Sequence, residues 1–266
     1  MVHRSSLLVL TLTVGACLWS GAGFAQEFGV PGQVVLGAER LTGVYSDHMK
    51  STANTTQVDS NGNTVSEKNE DSTDSTSISL FGMTSVIDDS GITLPSATPR
   101  LALDVFVLPG FSVGGSFVYT QRSGSENNKY TPDVNSDSKK QDTPTGSTVM
   151  FSPRIGYAAQ VSPMFAIWPR AGITYVNYRM TQKSTTSNGT TTITYESKIS
   201  ADFTDVTLEL MAVALAVPHF AILVGPYVDL PLGGGVKTTV NGVHQPNMPS
   251  LSYWSVGLSA GVAGYF

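Results

Sequence analysis

Seven ionisable residues sit inside stretches that otherwise alternate apolar and small: Arg100, Asp104, Arg154, Arg170, Asp205, Glu209 and Asp229. Guanidinium and carboxylate groups brought together away from water either neutralise one another as a structural plug or line a path for protons or ions. Histidine offers a different chemistry, since a His beside Ser or a carboxylate is the general base of hydrolysis and acyl transfer. Beyond the N-terminal segment the histidines are His48, preceded by Ser46 and Asp47, His219 and His244. The glycine run "PLGGGVK" (231–237) lacks both the spacing and the following helix of a phosphate-binding loop. No Cys or His cluster has metal-ligand spacing, so neither metal nor other cofactor is expected. The formal net charge of −5 argues against nucleic acid as a partner, because the cations needed to neutralise phosphates are outnumbered.

These residues must be positioned by strands. Residues 1–25, "MVHRSSLLVLTLTVGACLWSGAGFA", have a basic start at Arg4, an apolar run from Leu7 and small residues Gly23 and Ala25 at the end. They read as a cleaved signal peptide. The single cysteine, Cys17, lies within it, and "VGAC" is only a loose match to a lipoprotein cleavage box. No later window supplies the ~18 consecutive apolar residues of a membrane-spanning helix, so a membrane-embedded chain would cross as strands. A short lead (26–32) then precedes a domain at 33–266 in which apolar-patterned stretches alternate with polar ones.

The joints are of two kinds. "LPGF" (108–111), "VSPM" (161–164) and "VPHF" (217–220) are tight Pro-containing turns, whereas 48–98, 122–146, 183–199 and 236–250 are long and polar. Short turns at one end and long loops at the other are the asymmetry of outer-membrane barrels, with the short turns periplasmic. Strands are expected near 33–46, 99–108, 111–121, 147–160, 164–180, 202–217, 219–233 and 251–266, an even number that leaves both termini on the periplasmic side. Residues 75–85 read as an extracellular extension of the first hairpin; a ten-stranded barrel is the alternative.

Alternation splits each strand into two faces. Trp254, Val256, Leu258, Ala260, Val262 and Phe266 oppose Ser255, Gly257, Ser259, Gly261 and Ala263. A soluble lipocalin-like barrel would bury the apolar face and wet the other. Three observations favour the inverse arrangement. All eight lysines (Lys50, Lys68, Lys129, Lys139, Lys140, Lys183, Lys198 and Lys237) fall in or beside the polar stretches. The small, polar face suits a narrow lumen. Phe111, Phe165, Phe220 and Phe266 lie on the apolar face at the turn ends, with Tyr119, Phe151, Tyr175 and Trp254 on that face eight to twelve residues away. For tilted strands this is about 20 to 29 Å, which brackets the ~25 Å apolar band between aromatic girdles. The seven ionisable residues all take the lumen phase, and five of them, Arg100, Arg154, Arg170, Glu209 and Asp229, lie at similar heights above the turns. Arg154 and Arg170, equidistant from position 162, are expected to stand opposite each other. Glu39 and Arg40 cannot both point inward on a regular strand; Glu39 is favoured, which leaves Arg40 facing lipid or marks a bulge. Pro99, Pro153 and Pro169, each preceding an arginine, mark bulges or unpaired ladder positions.

The chain resembles small bacterial outer-membrane β-barrel proteins of the OmpA/OmpX-like kind over about residues 30–266, and "GQVVLGAERLTGV", "PRLALDVFVLPGFSVGGSF", "FSPRIGYAAQVSPMFAIWPRAGITY" and "VPHFAILVGPYVDLPL" look like an uncharacterised myxobacterial group. The resemblance implies an all-β transmembrane antiparallel up-and-down barrel of eight strands in the outer membrane, in contact with its lipids. A terminal aromatic, Phe266, on an alternating last strand resembles the signal read by the barrel-assembly machinery. Because the barrel runs to the last residue, a peptidoglycan-binding domain is not carried over. The functional expectation is a non-enzymatic barrel, structural or surface-interacting, with a side-chain-filled lumen. A small channel is the alternative. A lipid-modifying enzyme, as in lipid A acyltransferases and deacylases, is the third reading and would use His48 and His244, which lie in loops joined to neighbouring strands.

Overall fold

The computed structural model describes residues 27–58, 64–80, 83–84, 96, 98–122, 125–127, 140–142, 145–187, 192–244 and 250–266. The expected signal peptide lies outside the described residues. The elements are β1 (Val34–Val58), β2 (Thr64–Leu80), β3 (Met83–Thr84), β4 (Arg100–Leu108), β5 (Phe111–Arg122), β6 (Ser125–Asn127), β7 (Lys140–Asp142), β8 (Thr145–Tyr157), β9 (Ala159–Ser162), β10 (Phe165–Ser187), β11 (Thr192–Val217), β12 (Phe220–Val240), β13 (Val243–His244) and β14 (Ser250–Tyr265). Eight of them close a ring in the antiparallel order β1-β4-β5-β8-β10-β11-β12-β14, and β14 returns to β1. The seam is tied at its base by Val34 N donating to Phe266 O and Phe266 N donating to Val34 O, both at 3.0 Å. A closed ring leaves no free edge, the condition for strands to cross a bilayer.

The expected loops prove partly to be strand. Residues 48–58 and 64–80 pair as one ribbon, 183–187 pairs with 192–196 as another, and 236–240 continues β12. Thr, Ser and Val can take up strand without an apolar face, because a hairpin ladder needs only a partner. Lys50, Lys183, Lys198 and Lys237 are therefore on strands, beyond the apolar band.

The tight turns behave as their residues dictate. Gly110 takes a φ of 73°, and a Cβ there would come within 2.7 Å of Ala158 O, so only glycine fits. At the second turn Ser162 pairs with Phe165 across Pro163 and Met164, which centres the hairpin later than position 162. Arg154 consequently pairs with Gly172, and Arg170 with Gly156: the two arginines are diagonal neighbours, not direct partners.

Leu101, Leu103, Phe117, Ile155, Ile173 and Leu258 are exposed on the outside, while Arg100, Asp104, Ser116, Ser152 and Thr174 are buried inside. That inversion is the signature of a barrel whose solvent is lipid. Phe165, Phe220 and Phe266 form an exposed lower rim with half-buried Phe111, and Tyr119, Phe151, Tyr175 and Trp254 form the upper one. Between them an outward groove of about 450 Å³ opens over Gly115, walled by Leu36, Leu101, Leu103, Phe117 and Phe151. The lumen is not uniformly small and polar, as the last strand had implied. Its periplasmic third is apolar, built from Val35, Phe106, Ala166, Trp168, Val213, Leu223 and Tyr265. Its extracellular third is lined by Val118, Met150, Val176, Tyr178, Phe203 and Tyr253.

Candidate functional site in the barrel lumen

The charged belt lies between these two apolar layers and depends on one irregularity in β1. Ala38 pairs with Val262 but Thr42 pairs with Ala260, so Glu39, Arg40 and Leu41 stand against the single residue Gly261. Arg40 takes a φ of 52°, a strained conformation for a residue with a side chain. The bulge turns consecutive residues inward, and both Glu39 (3% exposed) and Arg40 (1%) end up in the lumen. The expectation of a lipid-facing Arg40 is thus replaced by its bulge alternative. The signal for it was Gly261: a Cβ there would lie 2.5 Å from Ala38 O and 2.8 Å from Glu39 Cα.

Glu39 is the centre of the network. Its Oε2 accepts from Arg154 Nη1 at 2.7 Å, and its Oε1 accepts from Arg154 Nη2 at 2.8 Å and from Arg170 Nη1 at 2.5 Å. Arg154 also donates through Nε (3.0 Å) and Nη2 (2.5 Å) to Asp104, which β4 presents from the other side. Arg170 reaches Glu209 Oε2 at 2.8 Å. Arg40 donates to Asp229 at 3.1 Å, lies 3.5 Å from Glu209, and stacks its guanidinium 3.7 Å from the centre of the Tyr227 ring. Arg100, opposite Glu39 in register, is buried, as is Asp205 one layer toward the extracellular side. Six of the seven residues expected to form the lumen network therefore share the layer. Asp205 makes no ion pair among the described residues, and Glu39 and Arg40 complete the belt.

Hydroxyls extend it. Ser152 Oγ and Thr174 Oγ1 are 2.8 Å apart, Thr174 and Thr207 2.6 Å, and Thr207 Oγ1 donates to Asp229 Oδ1 at 2.7 Å. Above the belt Tyr227 OH and Ser255 Oγ are 2.9 Å apart, and Tyr253 OH donates to Asp47 Oδ1 at 2.6 Å. Chemically this arrangement neutralises itself: each buried carboxylate of the central group is matched by a guanidinium in a charge-assisted bond. Among the described residues no group of three His, Cys, Asp or Glu side chains could hold a metal ion.

The base of the lumen is corked by the lead segment. Phe28 (4% exposed) makes edge-to-face contacts with Phe106, Trp168 and Tyr265 at centroid separations of 5.3, 5.6 and 5.5 Å. Gly29 N donates to Gln33 Oε1 at 2.8 Å and holds the turn that inserts it. The sequence reading missed this residue because a lone Phe in a seven-residue lead carries no periodicity.

His48 and His219 lie at opposite ends of the barrel. His48 is on the outer face, where its Nδ1 lies 2.6 Å from Asp74 Oδ1 and its ring stacks on Trp254. Asp47, its sequence neighbour, points into the lumen. His219 occupies a tight turn with a φ of 66°, its Nδ1 2.9 Å from Tyr265 O. His244, on β13, pairs with Thr239, and its expected meeting with His48 falls on a side chain outside the described residues.

No family model matches the chain, and no curated protein does. Solved structures to which it is similar include the outer membrane protease OmpT from Escherichia coli (10% identity, 89% of this chain and 97% of that one, TM-score 0.40). Others are a major outer membrane protein from Thermus thermophilus (11%, 84% and 99%, TM-score 0.42) and Ail, the attachment invasion locus protein of Yersinia pestis (10%, 89% and 100%, TM-score 0.32). The fold assignment rests on this chain's own ring of eight paired strands, its apolar exterior and its two aromatic rims, and these make it a transmembrane up-and-down β-barrel of the outer-membrane type.

Proposed function

We propose that the protein is a non-enzymatic outer-membrane barrel with a closed lumen, which serves the cell envelope as a structural element and displays its extended strands as an interaction surface. The observation that carries this reading is the continuous filling of the lumen: the Phe28 cork, the apolar layer above it, and the Glu39–Arg154–Arg170–Glu209 cluster, whose side chains are 1–4% exposed. Eight-stranded barrels have interiors just wide enough for side chains, so a filled layer leaves no water column. The β10–β11 ribbon runs twelve residues past Tyr175 to Ser187, about 29 Å along the barrel axis for tilted strands, and it suits contacts outside the cell. The outward aromatic Phe266 at the β1–β14 seam supports recognition of β14 by the barrel-assembly machinery. Planar-bilayer recordings test the closed lumen. The purified protein should show no ion conductance above the detergent background, and a reproducible conductance that changes in Glu209→Gln would replace this reading with a channel.

A further inference from the structure

Cations are distributed unevenly over the outer surface above the upper aromatic rim. On β1 and β2, Lys50 and Lys68 are both taken up by Glu70. On β10, β11 and β12 one cation, Lys198, is likewise paired with an acid, Glu196, whereas among the described residues Arg179 and Lys237 are not. Arg179 pairs with Ser200, and Ser200 with Lys237, so these three form one row across three adjacent strands; Thr181, Lys198 and Thr239 form the next row in the same way. Directly paired residues of antiparallel strands share a face. Arg179 lies four residues beyond Tyr175, whose outward phase it shares, so all six positions face outward. The grid holds three cations and three hydroxyls and no acid, in a chain whose formal net charge is −5. Arg179, Lys198 and Lys237 are all exposed. Lys198 lies 2.7 Å from Glu196, while Arg179 donates to the neutral Asn177 Oδ1 at 3.1 Å. Among the described residues neither Arg179 nor Lys237 forms an ion pair with a carboxylate.

The height of this grid selects its partner. Four residues beyond Tyr175 is about 10 Å above the aromatic rim for tilted strands, the level of lipid headgroups when the rim marks the edge of the hydrocarbon. Neighbouring strands are about 4.8 Å apart, so Arg179 and Lys237 stand about 10 Å apart at the backbone, with Lys198 between them one row higher. Three long cationic side chains with hydroxyl donors between them match a lipid headgroup that carries clustered phosphates, since phosphate oxygens accept charge-assisted bonds from both Arg and Lys. We infer that Arg179, Lys198 and Lys237 form a docking surface for a phosphorylated glycolipid of the outer leaflet. This surface is separate from the lumen and stands whether or not the barrel conducts.

The test uses the full barrel in detergent micelles, with diphosphoryl lipid A, the same lipid freed of phosphate, and soluble pyrophosphate as probes. Lipid retention is counted by native mass spectrometry and affinity is taken from titration. The wild-type protein should retain diphosphoryl lipid A in preference to the dephosphorylated lipid, with affinity that falls as salt rises. Each of Arg179→Ala, Lys198→Ala and Lys237→Ala should weaken binding roughly fivefold, the worth of one cation at an anionic surface, and the triple variant on the order of a hundredfold. Arg179→Lys should restore most of the loss, and Lys50→Ala should change nothing. Heat-modifiable gel migration confirms that each variant is a folded barrel. The inference is overturned if the folded triple variant retains diphosphoryl lipid A like the wild type, or if pyrophosphate alone binds as tightly as the lipid.

Discussion

Replacing Glu39 with glutamine removes the central charge of the belt with almost no change in volume. Glu39 accepts three charge-assisted hydrogen bonds, at 2.5, 2.7 and 2.8 Å, from two arginines whose side chains are 4% and 1% exposed. At about 1.5–3 kcal/mol each their gross worth is about 4.5–9 kcal/mol. The net loss is smaller, because Arg154 keeps Asp104 and Arg170 keeps Glu209. Breaking a dry ion pair costs about 3–5 kcal/mol, and Glu39→Gln should fall in that range. Glu209 has one contact at 2.8 Å and two at 3.5 Å, so Glu209→Gln should cost less, about 2 kcal/mol. Urea unfolding in lipid vesicles, followed by heat-modifiable gel migration, measures both. If the lumen admits water, the pairs are screened and the losses shrink toward about 0–1 kcal/mol. A loss below about 1 kcal/mol for Glu39→Gln in a correctly inserted barrel would therefore refute the dry belt.

Gly261→Val should prevent the β1 bulge from forming, because a Cβ there meets Ala38 O at 2.5 Å; insertion yield should drop, and the folded fraction should lose the Glu39 contacts seen by side-chain NMR. Phe28→Ala should empty the cork and cost about 3 kcal/mol in urea unfolding, with Phe28→Leu recovering much of it; an unchanged midpoint would mean that the lead does not seat in the barrel. Hydrogen bonds from Lys68 and Lys50, reinforced by their charges, hold the Glu70 carboxyl down at about 2. Since this folded value lies below the ordinary 4.5, the stabilisation is complete above about pH 4.5 and is lost as pH falls toward 2. Amide protection factors in the β1–β2 ribbon, measured against the intrinsic exchange rate at each pH, should fall over that window, and Glu70→Gln should abolish the fall.

Period-two alternation, tight Pro turns and the spacing of aromatic residues determined the barrel, its strand number, and which face of β4, β8 or β14 meets lipid. These are local properties: one strand in isolation already carries its two faces. The lumen phase of the seven charges follows from the same alternation. What only the tertiary structure decided depends on counting residues across strands. The three-against-one match of Glu39–Leu41 to Gly261 makes Glu39 the keystone and brings Arg40 inside, yet nothing in the β1 sequence alone distinguishes that bulge from a lipid-facing arginine. A displacement of the Pro163–Met164 turn moved Arg154 from opposite Arg170 to a diagonal position, because moving the centre of a hairpin by one residue shifts its ladder by two. The polar segments at 48–58 and 192–199 became strands because each found a partner, and a ladder's hydrogen bonds come from the backbone, which composition does not reveal. Phe28 joined the core only because a closed ring left an opening of its size at the base, and that opening belongs to no segment of the chain by itself.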